Sequence, residues 1–474
     1  MSHALAVNCT DWVFSKDATE RGQLVRARGV LAAWPLLLKY WLMLNVRNPK
    51  RYAMNPTKLP DQRATRPAVG LLSAIVIVAS LGYFVDIYDL VLFSIVRVQS
   101  LNDIGVSEAA AVTNQGLYLL NMQMGGMLLG GILWGVLGDK KGRLSVLFGS
   151  ILLYSLANIA NGFVQNIDQY GWLRLIAGIG LAGELGAGIT LVAETLPKEK
   201  RGYGTMIVAS VGVSGAVVAY FVGSKFGWRN AYFIGGGLGL ALLALRAGVF
   251  ESGMFEQTRQ SNVKRGNFLS IFTNAARLGK YIRCLLVGVP FWFLAGILIT
   301  LAPEFGKAFH LQGPVTGGLS ISWCYFGLTL GDFTSGGLSQ LLKSRMRTLQ
   351  MFILGSAIAV SFYLFGLNGV STTAFYTACF FVGFTGGFWA LFVTVSAEEF
   401  GTNIRSTVAT TAPNFARGAL VLITIAFKAL KGNPSLGMVG AAAVIGAVLL
   451  TLAFFSASTL PETYGKDLDY VEEE

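Results

Sequence analysis

From residue 69 onward the chain is a train of apolar runs long enough to cross a bilayer, separated by short polar breaks. They lie near 69–96, 113–137, 144–164, 171–194, 203–224, 229–249, 282–303, 315–340, 349–367, 373–396, 406–428 and 435–458, twelve in all. A hydrocarbon core about 30 Å thick takes about 20 apolar helical residues to cross, and it offers no water to an open backbone. A chain patterned this way is expected to fold as an all-α membrane protein with twelve transmembrane helices. Composition agrees, with 53% of the 474 residues hydrophobic and only 13% charged, too apolar for an ordinary soluble domain.

The charge that remains is informative by position. The net charge of +12 would suit nucleic acid, but the cations sit in alternate short loops. Lys140, Lys141 and Arg143 follow the second run, and Lys198, Lys200 and Arg201 follow the fourth. Arg259, Lys264, Arg265, Arg277 and Lys280 follow the sixth, and Lys343, Arg345 and Arg347 the eighth. The intervening loops carry none to two. Basic loops stay in the cytoplasm, so both termini are expected there and no nucleic-acid partner is implied. The longest internal loop, 250–281, then separates a six-helix bundle at 68–249 from a second at 282–458, with an acidic cytoplasmic tail at 459–474.

Residues 1–67 form an extension. Its run from Gly29 to Val46 is broken by Pro35 and Lys39 and flanked by cations on both sides. It suits an interfacial helix on the inner leaflet. Alternatively Met54 is the start, leaving a short tail before the first span. A cleaved signal peptide does not fit, because the run begins too far from the terminus and lacks a small-residue cleavage site.

The two halves repeat. Glu194 and Arg201 follow the fourth run as Glu398 and Arg405 follow the tenth, at an offset of 204 residues in both cases. The same offset carries Arg143 onto Arg347 and Asp139 onto Lys343. Parallel repeats of membrane bundles are a transporter architecture, with the solute site between halves near mid-membrane.

Between the second and third runs, Gly135, Asp139, Lys140, Gly142 and Arg143 stand in the order G-x-x-x-D-[RK]-x-G-[RK]. Gly142 permits a tight turn, and Gly135, one helical turn above Asp139, permits close approach of another helix. Glu194, Arg201, Glu398 and Arg405 read as further members of a cytoplasmic gate network with Asp139 and Arg143.

Three of the acids inside the runs are candidates for proton coupling. Asp86 and Asp89, at i and i+3, share one helix face of the first, and Glu184 sits about halfway along the fourth. Like charges at membrane depth are costly to hold ionised and mark function by default, so these are the proton-coupling candidates, Asp89 foremost. The plainer readings are a wetted helix-end pair for Asp86 and Asp89, and a structural ion pair for Glu184. Arg174 is ten residues away, about 15 Å along a helix, which is too far for an intrahelical partner.

Arg417 lies deep in the eleventh run, with Asn414 one turn before it. Arginine clamps carboxylates bidentately, which suits an anionic solute; the plainer reading pairs Arg417 with Asp332. Tyr88, Trp292, Tyr325 and Trp389 are candidate cavity-lining aromatics. Cys9, Cys284, Cys324 and Cys379 have no ligand-like spacing, and the two histidines, His3 and His310, have no metal-binding companions. No metal or cofactor is expected.

With these residues in view, positions from about 69 to 465 resemble the major facilitator superfamily. The likeness rests on the Gly135–Arg143 motif, on Arg174-x-x-x-Gly178-x-Gly180 with Glu184, Glu194, Pro197 and Arg201, and on Trp228-Arg229. Glu251-Ser252 and Pro461-Glu462-Thr463 are similar to the sugar-porter and metabolite:proton symporter branches. Asp86-Ile-Tyr-Asp89 is similar to the D-G-[FY]-D of aromatic-acid:proton symporters, with Ile87 in place of the glycine. The resemblance implies the major facilitator fold and alternating access by rocking of two bundles. Asp139 and Arg143 would then have conformational roles, away from solute.

The expected function is secondary transport of a small organic solute, a carboxylate-type metabolite or a sugar, by proton symport. Proton-driven export and uncoupled facilitation are the alternatives. An embedded enzyme using Asp86 and Asp89 lacks supporting groups, and a sensor would need a signalling domain. No G-x-x-x-x-G-K-[ST] loop for ATP occurs. The expected partners are the solute, protons and the lipid of the cell (inner) membrane, with one chain as the working unit.

Overall fold

The computed structural model describes residues 74–141, 143–184, 192, 196, 201–250, 268–401 and 404–466; the extension at 1–67 lies outside them. Its regular elements are helical. The first half contains α1 (Ala74–Asp103), α2 (Ala109–Lys141), α3 (Arg143–Asn161), α4 (Ile167–Leu181), α5 (Arg201–Val213), α6 (Gly215–Phe226) and α7 (Trp228–Phe250). After a single turn, α8 (Ser270–Thr273), the second half contains α9 (Ala275–Phe293), a π-helix (Leu294–Ile299), α10 (Ala302–Ala308), α11 (Gly317–Leu341) and α12 (Arg345–Phe365). It ends with α13 (Thr372–Thr385), α14 (Trp389–Glu398), α15 (Arg405–Lys431) and α16 (Gly437–Thr459). Among the described residues nine helical stretches are long and apolar enough to cross a membrane. The chain is a multi-pass, all-α membrane protein.

Several apolar runs are not single straight helices. The run 171–194 reads as one helix, but α4 ends at Leu181 and turns at Ala182 and Gly183. The run 203–224 is divided between α5 and α6 at Ser214, and 373–396 between α13 and α14 at Gly386, Gly387 and Phe388. In α9, Pro290 removes a backbone donor, and the helix widens into the π segment from Leu294. Hydropathy is blind to such breaks because the side chains stay apolar through them. Charge misleads at the other end of α1: Arg97, expected just beyond the first span, is helical and only 2% exposed. Its guanidinium is neutralised there by Glu304 at 2.9 Å.

Helix pairs approach through glycines at matching places in the two halves. A Cβ on Gly126 or Gly178 would run into the backbone of the facing helix in the α2–α4 pair. The same holds for Gly331 and Gly383 in the α11–α13 pair. Gly383 follows Gly178, and Gly331 follows Gly126, by 205 residues in each case. Without a hydrophobic drive between helices in lipid, such backbone-to-backbone packing supplies much of the association energy.

The halves meet along two seams, α2 against α15, and α11 against α5 and α6. At the end away from the basic loops, Arg97 binds Glu304 and the Thr300 carbonyl, and Thr113 also donates to Glu304 at 3.1 Å. Toward the basic loops, Gly131 faces Asn414, and Gly135 sits against Thr411 with its Cβ position 3.3 Å from Thr411 Cγ2. The segment after α16, expected to be a tail, is partly built in. Glu462 accepts from Ser344 Oγ and from the Arg345 and Met346 N–H groups at the start of α12.

Gly178→Ala and Gly383→Ala are each expected to destabilise the purified protein by about 1–3 kcal/mol, the usual cost of overpacking. Gly125→Ala and Gly337→Ala, whose Cβ positions face open space, should be neutral or slightly stabilising. Thermal unfolding in detergent reads the difference. Equal midpoints in all four variants would rule out the glycine seams as the packing device.

Candidate functional site

Where the seams converge, Arg417 of α15 is fully buried, and its Nη2 lies 4.0 Å from Asp86 Oδ2 of α1. No hydrogen bond reaches either Asp86 oxygen, or Arg417 Nε or Nη2, from the described residues. Arg417 Nη1 donates to Asn414 Oδ1 at 3.0 Å. Its guanidinium carbon sits 5.7 Å from the ring centroids of both Trp292 and Trp389, within cation–π range. Trp389 Nε1 in turn donates to Tyr83 Oη of the other half at 3.2 Å. Opposite charges from the two halves thus face each other between aromatic walls, short of a close ion pair.

Two small voids flank this point. One of about 20 Å³ is lined by Ser94, Met124, Trp292, Thr300 and Tyr325 among others. The second, about 10 Å³, touches Tyr83, Phe291, Trp292, Tyr325, Trp389 and Arg417. Each has room for about one water molecule, so this conformation is shut around its centre. The π segment supplies Ala295 and Gly296 to the larger void. Trp292, Tyr325 and Trp389 line the voids, as their residue type and place in the chain lead one to expect. Tyr88 does not: its hydroxyl donates to the Ala231 carbonyl at 3.0 Å, inside the first half.

The other acids are placed differently from Asp86. Asp89 is fully buried and turned into the first half, beside Asn158 and against Gly235, where a Cβ would collide with its carboxylate. Glu184 is paired with Arg246 of α7, Nη1 to Oε2 at 2.9 Å with a second contact from Nη2, and both side chains are 1% exposed. Gly82 of α1 leaves the space for this pair, since a Cβ there would meet both partners. Arg174 makes its bonds elsewhere, donating to Gln123 and at 3.3 Å to Tyr232 Oη. The structural pair considered for Glu184 therefore exists, but its cation is Arg246. Asp332 is likewise not the partner of Arg417. Its Oδ1 accepts from the Ala390 N–H at 3.1 Å, satisfying the first turn of α14 after the break.

At the end with the basic loops, Glu398 accepts from Arg345 at 3.3 Å and from Thr463 at 2.7 Å. Arg405 donates to the Ala397 and Phe400 carbonyls at 3.2 Å. Gly142 and Glu194 lie outside the described residues, as do the side chains of Asp139, Lys140, Arg143 and Arg201. Sequence reasoning missed Arg246, Arg97 and Glu304. The available signal was a single charge inside or at the edge of an apolar run, which at membrane depth implies a partner.

A family profile described as Major Facilitator Superfamily matches residues 79–420. Among curated proteins, the chain is 26% identical over 404 residues to a probable 4-methylmuconolactone transporter of Cupriavidus pinatubonensis, covering 83% of this chain and 91% of that one. It is 27% identical over 418 residues to a cis,cis-muconate transport protein of Acinetobacter baylyi, covering 83% and 94%. Among solved structures, the proton:xylose symporter XylE bound to 6-bromo-6-deoxy-D-glucose superposes with a TM-score of 0.64 at 18% identity, covering 84% of this chain and 97% of that one.

Glu184→Gln strands the buried Arg246 charge and is expected to cost on the order of 3–5 kcal/mol of stability. The double substitution Glu184→Leu with Arg246→Met removes both charges and should recover most of that loss. Thermal unfolding of the two proteins measures this; a double variant no better than the single would contradict the pairing.

Proposed function

The chain belongs to the major facilitator superfamily, and we propose that it is a proton-coupled symporter of a small organic carboxylate. The observation that carries this reading is Arg417 facing Asp86 across the divide between the halves, 4.0 Å apart, with guanidinium donors still unused. Arginine has a fork of donors matched to a carboxylate, and Trp292 and Trp389 frame the place where the rest of such a solute would lie. The relatives named for 4-methylmuconolactone and cis,cis-muconate support a compact, oxygen-bearing organic solute.

The cycle follows from competition for one cation. With the outer mouth open, the solute carboxylate takes Arg417. Asp86 loses its nearest counter-charge among the described residues and accepts a proton. Both buried charges are then neutralised, one by the solute and one by the proton, and the halves can rock without leaving a bare ion in a low-dielectric interior. On the other side the proton leaves, Asp86 becomes a carboxylate again, and it displaces the solute from Arg417. Asp86 is the coupling group in this scheme because it alone of the three candidate acids faces Arg417. Glu184 is instead paired with Arg246, and Asp89 is turned into the first half.

This reading includes twelve spans in two six-helix bundles at 68–249 and 282–458, the linker at 250–281, cytoplasmic termini, a single chain as working unit, and the cell membrane as location. Asp139, Arg143, Glu194 and Arg201, with Glu398 and Arg405, form the inner gate.

The test is uptake in proteoliposomes carrying a trapped pH dye, with cis,cis-muconate, 4-methylmuconolactone and xylose offered in turn. A carboxylate should acidify the lumen as it accumulates. Arg417→Gln should reduce its uptake about 100-fold, as loss of a buried charge partner does. Asp86→Asn should keep solute exchange but abolish proton-driven accumulation. Solute equilibration without proton movement would overturn symport in favour of facilitation, and uptake of xylose alone would overturn the carboxylate.

A further inference from the structure

We propose that Asn414 is a positioning residue that ties occupancy of Arg417 to closure of the cytoplasmic side, and that it does not touch the solute. The inference rests on the reading of Arg417 as the solute's cation.

Every group on the Asn414 amide has a protein partner. Its Nδ2 donates to the Thr410 carbonyl of its own helix and to the Ala182 carbonyl of the other half, both at 2.7 Å. Its Oδ1 accepts from Arg417 Nη1 at 3.0 Å. The side chain is fully buried. The orientation of the amide is set by chemistry: two carbonyls can be met only by its N–H₂ end, and a guanidinium only by its oxygen. Both donors are therefore committed to backbone, one of them across the divide.

The place where it reaches the first half is also specific. Ala182 lies in the turn where α4 ends, two residues before the Glu184–Arg246 pair. Gly131 of α2 makes the approach possible, since a Cβ there would fall 2.8 Å from Asn414 Cβ. One turn further along each helix, Gly135 meets Thr411. Asn414 is thus a polar link between the Arg417 site and the α2–α15 seam that closes toward the basic loops.

The consequence is a relay. When a solute carboxylate draws the guanidinium onto itself, Nη1 leaves Asn414 Oδ1. The amide then keeps only its two backbone bonds, and the one that crosses the divide, to the Ala182 carbonyl, is weakened. Loading the site thereby loosens the seam that must part for the solute to leave inward. An asparagine that is merely structural would hold Ala182 in the same way whether Arg417 is occupied or empty.

The experiment places single reporter cysteines at Thr411 in the inner seam and at Ser94 beside the outer void, in full-length protein in nanodiscs. Maleimide labelling rates are compared with those of the parent chain. Asn414→Asp keeps an acceptor for Arg417 and loses both donors. It should speed labelling at position 411 about tenfold, the effect of losing one strong buried hydrogen bond, and slow labelling at 94, because the population shifts inward. Asn414→Leu should do the same. Adding cis,cis-muconate should speed labelling at 411 in the parent and leave the already fast Asn414→Asp unchanged.

Faster labelling at both positions would indicate loosened folding and overturn the proposal, as would an unchanged rate at 411. The solute-free rates need no transported compound, so they stand apart from the carboxylate reading. Normal muconate uptake with unchanged labelling at 411 sinks the relay alone, whereas reciprocal labelling shifts without muconate uptake sink the solute assignment alone.

Discussion

An arginine at membrane depth is the constraint on which the rest of this molecule depends. Arg417 cannot lose its proton, and bare charge in a low-dielectric interior is prohibitive. It must be met by carboxylate, by aromatic faces, or by solute. In the closed structure it has Asp86 at 4.0 Å, Asn414, and two tryptophan rings. That set is enough to keep the ion buried and too loose to satisfy it. A cation left wanting a closer carboxylate is what a solute site requires, whereas Arg246 already holds Glu184 through two close contacts. The distinction between the two arginines is one of geometry, since both are fully buried.

Moving halves also require that the charges on the divide be satisfied in more than one arrangement. The seam away from the basic loops closes on the Arg97–Glu304 ion pair, 2.9 Å across the divide. Glu304 is only partly buried, with its side chain 20% exposed, so water can take over its solvation when the mouth opens. The other seam closes on glycines against threonines and Asn414. Among the described residues the first of these seams is joined by an ion pair, and the second by close packing and hydrogen bonds.

Much of this was legible before any coordinates. The apolar runs gave the helical membrane fold, the 204-residue offset between Glu194 and Arg201 and Glu398 and Arg405 gave the repeat, and Asp86 and Arg417 stood out as charges where charges are expensive. Their meeting was not legible, because spans far apart in sequence carry them and no local pattern encodes the contact. Between the two acids of α1 the expectation favoured Asp89, and residue type and a shared helix face do not separate them; in the structure Asp86 turns toward Arg417, and Asp89 toward Asn158 and Gly235. The breaks at Ala182, Ser214 and Gly386 escaped notice because polarity does not change across them. The alternative pairing of Arg417 with Asp332 does not form because Asp332 caps α14, a task that depends on a break with no polar signature in the sequence.

The breaks themselves explain how a duplicated scaffold acquires two unlike walls. The helix of the fourth span ends at Leu181 and that of the tenth at Thr385, 204 residues later, the same offset that carries Glu194 and Arg201 onto Glu398 and Arg405. Both halves interrupt the same span at the same repeat position. The side chains just past the two breaks are unlike. In the first half the break leads to Glu184, tied to Arg246; in the second, displaced by one residue, it leads to Trp389, set beside Arg417. The freed backbone is used differently too, with the Ala182 carbonyl taken by Asn414 and the Ala390 N–H taken by Asp332. Duplication supplied the geometry, and divergence at the break set a closed ion pair in one half and an aromatic ring beside Arg417 in the other. An unsymmetrical solute, with a carboxylate at one end and an apolar body, needs walls that differ in that way.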